Sequence, residues 1–101
     1  MRDVIIVSRH DATVRLLRKR FPRLGEVPVY THVSTDTIDG KIVIGNLPLH
    51  LAARANVVYN VSIDVPPDLR GKELSEEDLE RCNVRLEPYC VLQARDVLGI
   101  L

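Results

Sequence analysis

Ser8-Arg9-His10-Asp11 follows Val4-Ile5-Ile6-Val7 without a break, so four apolar residues run into a hydroxyl, a guanidinium, an imidazole and a carboxylate. Arg9 can clamp a phosphate through two parallel hydrogen bonds. His10 can give or take a proton near neutral pH. Ser8 can hydrogen-bond a phosphate oxygen. Either Ser8 or Asp11 can instead cap a helix that starts here, and the site is then only a capped helix start with two exposed basic residues. No GxSxG elbow surrounds Ser8, which argues against a serine nucleophile.

A second candidate is Gly45-Asn46-Leu47-Pro48. A strand that ends in glycine and turns into a proline-started helix presents free backbone amides at the positive end of a helix dipole. Such a turn takes phosphate or carboxylate, with Gly45 allowing close approach; a plain strand–helix turn is the alternative. His50 falls in the first turn of that helix, either as a ligand contact or as a surface histidine. His32 closes an earlier strand near the same edge. In the third candidate, "DVPPDLRG", Asp64 can orient a histidine or a ribose hydroxyl and Arg70 can reach a phosphate, unless the two simply pair with each other. Tyr59 and Tyr89 can stack on a base or pack in a core or interface. There is no GxxxxGK[ST] and no GxGxxG, so neither a P-loop nor a dinucleotide cofactor is expected. Three histidines without regular spacing, and Cys82 and Cys90 without CxxC spacing, do not form a zinc site. No metal and no cofactor are expected.

Positioning these groups requires strands that deliver them to one edge. Residues 3–7 are β-branched and non-alternating, the pattern of a strand buried on both faces. Residues 12–21 give a helix with Val14, Leu17 and Phe21 on its inner side, stopped by Pro22 and Gly25. Strands are expected over 27–33, 42–44 and 57–65, and a turn over 36–41. The helix after Pro48 should bury Leu49, Ala52 and Ala53. Ser75 opens another helix, with Asp78 completing a capping box and Leu74 stapled to Leu79. The last segment gives one more strand and an apolar tail. Strands alternating with helices define an α/β domain with a parallel-rich sheet covered on both faces. Ligands then bind beyond the carboxyl ends of the strands, where all three polar loops lie.

With 101 residues the chain reads as a single domain, 1–101. Fourteen basic and fourteen acidic residues give a formal net charge of zero, so affinity for long nucleic acid is not indicated. Arginines and Lys19 crowd the first quarter and acids crowd residues 68–80, as two solvated helix faces or as a local anion site. No span, no secretory signal and unpaired thiols lead to the expectation of a cytoplasmic protein with no membrane.

Taken in order, "VSRH", "VIGNLPLHLAARA", "SIDVPPDLRGKELSEEDL" and "LEPYCV" resemble a small CRISPR-associated protein family of type III defence systems, over residues 4–91. The chain departs from that pattern at Asp11-Ala12, where the family has Pro-Gly, at Asn46, where it has threonine, and after His32, where an aspartate is missing. The resemblance implies a Rossmann-like fold related to CRISPR-associated sensor domains, a homodimer, and ring nuclease activity on cyclic oligoadenylates. Read with the residues above, it gives metal-independent opening of cyclic tetraadenylate by a ribose 2′-hydroxyl, leaving linear products with 2′,3′-cyclic phosphate. Arg9 and His10 are then the catalytic pair, and Ser8, Gly45, Asn46, Leu47, His50, Asp64 and Arg70 contact the ligand. Val97, Leu98, Ile100 and Leu101 offer apolar surface for the dimer. A cyclic-nucleotide sensor that binds without cutting is the main competitor, and a structural subunit assembling through the tail is a distant one.

Overall fold

The computed structural model describes residues 3–99, apart from the side chains of Asp96 and Val97. Strand β1 (Val4–Val7) is the centre of the architecture. Val4, Ile5 and Ile6 are each at most 4% exposed, as expected for a run of β-branched residues that meets apolar groups on both faces. The sheet order is β2-β1-β3-β4-β5, with β2 (Val29–Tyr30), β3 (Ile42–Ile44), β4 (Val57–Asp64) and β5 (Asn83–Tyr89). The first four strands are parallel, and β5 runs antiparallel to β4. This is a mixed α/β fold of small Rossmann-like type. Its strand order reverses direction between β1 and β3, which makes the gap beyond their carboxyl ends the topological switch point.

One face of the sheet is covered by α1 (Asp11–Arg20) and α4 (Glu76–Glu80). Val14, Leu16 and Leu17 of α1 and Leu79 of α4 pack with Val4, Ile6, Ile44 and Val84. The capping box forms as expected: Ser75 Oγ accepts from the Asp78 amide at 3.1 Å, and Asp78 Oδ2 accepts from the Ser75 amide at 3.1 Å. The Ser75 amide first, then the Ser75 hydroxyl, hold the Asp78 carboxyl below its usual range. The charge segregation has a structural outcome too. Arg15 pairs with Glu76 and Lys19 with Glu80, so the basic face of α1 meets the acidic face of α4. Such exposed pairs contribute little each.

On the other face, Ile5 and Val43 meet Ile38. Here the structure corrects the expected turn over 36–41: α2 (Thr35–Ile38) is one helical turn. A helical turn lets Ile38 reach complete burial while Asp36 and Asp39 stay exposed. The expected inner face of α3 (Leu49–Ala52) is also revised. Ala52 is buried, but Leu49 is 76% exposed. With only four residues, α3 has one inward position to offer. Strand β2 is shorter than 27–33, because Pro28 lacks an amide hydrogen and the chain leaves the edge after Tyr30. β5 ends at the other edge, where Pro88 is tolerated.

Leu98 lies in α5 (Ala94–Leu98) and is exposed. The Val97 side chain, Ile100 and Leu101, offered above as dimer surface, lie outside the described residues. Among the described residues no helix is long and apolar enough to cross a membrane.

Candidate functional site

β1 and β3 approach each other so closely at their carboxyl ends that only glycine fits. Gly45 is buried with φ +153°, and a Cβ there would lie 2.4 Å from the Val7 carbonyl oxygen. The missing side chain therefore makes room for the neighbouring strand, whereas the sequence suggested room for a ligand. Asn46 then replaces the next step of the ladder. β3 last pairs at Ile44 with Tyr59. Two residues on, the Asn46 side chain donates to the Val61 carbonyl at 3.0 Å and accepts from the Val61 amide at 2.8 Å. A side-chain amide thus imitates a peptide and lets the main chain turn away into α3. Both ends of that amide are engaged with protein, so Asn46 holds the Gly45–Leu47 backbone in place. We predict that Asn46→Ala loses about 1–2 kcal/mol through these two hydrogen bonds. Urea unfolding should show a lower midpoint with an unchanged slope.

The chain opens a cavity of about 660 Å³ at this point, within the range of small-molecule sites. Its floor is the ends of β1 and β3, with Ser8, Arg9 and His10 on one side and Gly45, Asn46, Leu47 and Pro48 on the other. Thr13 and Leu17 of α1, the segment Thr31-His32-Val33 after β2, and Leu51 add walls. A further wall comes from β4. It continues five residues past Tyr59, its last partner in β3, which is about 16 Å of strand at about 3.3 Å per residue. On this overhang Val61 and Ile63 face the cavity, whereas Asp64 lies at the far end of the β4–β5 pair, opposite Asn83.

The helix start differs from both capping readings. His10 is the N-cap residue of α1, and no side chain caps it. Ser8 Oγ accepts instead from the His10 amide at 3.1 Å, closing a local turn. Among the described residues the first amides of α1 have no side-chain partner, at the positive end of a ten-residue helix beside the cavity. Arg9 and His10 are exposed. Neither side chain has an ion pair or hydrogen-bond partner among the described residues. Arg9, His10 and His32 are the basic residues among those lining the cavity, and among the described residues no carboxylate lines it. The site is therefore suited to an anion, with apolar walls at Leu17, Val33, Leu47, Leu51, Val61 and Ile63.

Three of the expected site residues lie elsewhere. Asp64 is held by Arg85, at 3.0 and 3.2 Å, and by Asn83 at 3.1 Å. Arg85 first, then Asn83, keep its carboxyl below the usual range. It does not pair with Arg70, whose Nε donates to the Val65 carbonyl at 3.3 Å outside the cavity. His50 is exposed on α3 and does not line the cavity. Tyr59 packs on the α1-side core. Conversely, Thr13, Thr31, Val61 and Ile63 line the cavity without having been singled out. The alternation Tyr59, Val61, Ile63 marked an apolar strand face, but only the register with β3 shows that it overhangs. Among the described residues no group of three or more His, Cys, Asp or Glu is placed to hold a metal ion.

The fold and the cavity together define a doubly wound α/β domain with an anion-suited site at its switch point. A family model described as "Putative CRISPR-associated protein (Cas_VVA1548)" matches residues 5–92. The chain belongs to that CRISPR-associated family. No curated protein and no solved structure matches it.

Proposed function

We propose that the protein is a metal-independent ring nuclease that opens cyclic tetraadenylate. One observation carries the reading: among the described residues, Arg9 and His10 stand unpaired at the uncapped N-terminus of α1, over a cavity that no carboxylate lines. Membership of a CRISPR-associated family supports a role in that defence, and the sequence resemblance suggests the ring as the substrate. A phosphodiester flanked by a ribose 2′-hydroxyl carries its own nucleophile, so the protein has only to align groups, offset charge and move protons. The 2′-oxygen bonds to phosphorus, the bond from phosphorus to the 5′-oxygen breaks, and the proton lost from the 2′-hydroxyl is balanced by one gained at the 5′-oxygen. Arg9 stabilises the phosphorane-like charge, with the first amides of α1 beside it, and His10 transfers a proton. The Gly45–Leu47 backbone, held by Asn46, and the Ser8 turn shape the floor beneath the phosphate.

A ring of four adenylates is wider than one such cavity, and a two-fold ring matches a two-fold dimer. Two protomers would each address one of two opposite phosphodiesters, giving a linear intermediate and then two-nucleotide products. Calorimetry with an inactive His10 variant should find one ring per dimer; one ring per monomer, or a monomer at saturation by light scattering, rules out a shared site. Chromatography of the ring after incubation with the wild-type protein in EDTA tests the activity itself. Opened products support the nuclease. A ring bound tightly but recovered intact makes the protein a sensor or sequestering module.

A further inference from the structure

Two imidazoles face the cavity, and the reaction needs two proton transfers. We propose that His32 is a second catalytic residue, the acid–base partner of His10; this rests on the ring nuclease reading. In-line displacement puts the attacking 2′-oxygen and the leaving 5′-oxygen on opposite sides of the phosphorus. A single imidazole beside the phosphate reaches one of them, so the second oxygen needs a group approaching from a different segment of the chain.

The fold supplies one. β1 and β2 are parallel neighbours with Val7 opposite Tyr30, and the Ser8 amide donates to the Tyr30 carbonyl at 3.1 Å. From that shared point the two chains diverge. One carries Arg9 and His10 into the cavity and the other carries Thr31 and His32 into it. Facing them from α1 are Thr13 and Leu17, from the β3–α3 turn Gly45 to Pro48, from α3 Leu51, and from β4 Val61 and Ile63. None of these titrates near neutral pH. Arg9 does not release its proton. Among the described lining residues, His10 and His32 are thus the two imidazoles, the side-chain type that can both take and give a proton. His32 is exposed and outside the regular elements, and its side chain has no partner among the described residues, so the structure gives it no packing role.

One imidazole, neutral, takes the 2′-hydroxyl proton as the oxygen–phosphorus bond forms. The other, protonated, gives its proton to the 5′-oxygen as that bond breaks. The product is a linear oligoadenylate with a 2′,3′-cyclic phosphate and a 5′-hydroxyl, and no co-reactant is consumed. Two groups needed in opposite protonation states make kcat/KM bell-shaped in pH, with apparent values that belong to the pair.

The test is the pH profile of ring opening by the wild-type protein, His10→Ala, His32→Ala and His32→Gln, each checked for an unchanged melting curve. The wild type should give a bell. Each His32 variant should lose about 10²–10⁴-fold at the optimum and one limb of the bell, and adding His10→Ala should cost less than the product of the two losses. Wild-type cleavage with both limbs retained in His32→Ala and His32→Gln overturns the role of His32 and leaves the nuclease reading standing. A wild-type protein that returns the ring intact overturns both.

Discussion

Replacing His10 by alanine should lower the rate of ring opening by about 10²–10⁴-fold, the range of general acid–base work, while ring affinity changes little. Arg9→Ala should differ in kind. The phosphodiester is charged before attack and more so during it, so on the proposed mechanism Arg9 should contribute to binding as well as to the transition state, and affinity and turnover should both fall. The contrast follows from placement. His10 is the N-cap residue of α1 through its main chain alone: the Val14 amide donates to its carbonyl, and its amide donates to Ser8 Oγ. Its ring takes no part in capping the helix, so removing the ring should not disturb the fold. Single-turnover rates and equilibrium binding of the ring, measured side by side for both variants, check this. Equal and small losses would mean that Ser8 to Asp11 form nothing more than a helix start.

The second large effect is on the fold. Gly45→Ala puts a Cβ 2.4 Å from the Val7 carbonyl oxygen at φ +153°, and the obstacle is backbone in the central strand, which cannot swing aside. Backbone strain and overpacking together should cost about 2–5 kcal/mol. A domain of this size has a total stability of about 5–15 kcal/mol, so the variant should melt far below the wild type or fail to fold. Gly71 makes the control. It also has a positive φ, +79°, but a Cβ there meets nothing within 4 Å, so Gly71→Ala pays strain alone. Denaturant unfolding of both variants gives the comparison, and similar losses would show that the contact between Gly45 and Val7 is not what limits residue 45.

The chain's local patterns were enough to place most of the frame. An unbroken β-branched run gave β1 and β3, Ser75 with Asp78 gave the start of α4, and the polar stretches after β1 and β3 meet at one cavity as expected, whereas the stretch after β4 does not. What local pattern does not carry is register. Asn46 reads as a ligand contact until its amide is seen opposite Val61, a pairing set by where β3 stops against β4. Asp64 reads as part of a polar loop until the five-residue overhang carries it away to Arg85. His32 lies two residues beyond β2 and lines the cavity, in keeping with its expected place near the same edge, although β2 itself is shorter than expected. Ile38 lies in a segment rich in turn formers, and its burial against Ile5 and Val43 overrode that local preference.

The central claim is that the ring supplies its own nucleophile. Mass spectrometry of the first products formed in EDTA and ¹⁸O-labelled water tests it most directly. Attack by the 2′-hydroxyl is an isomerisation, so the linear intermediate should have the mass of the intact ring and carry no label. A first product heavier by one labelled water, or cleavage that appears only after a divalent ion is restored, would contradict it.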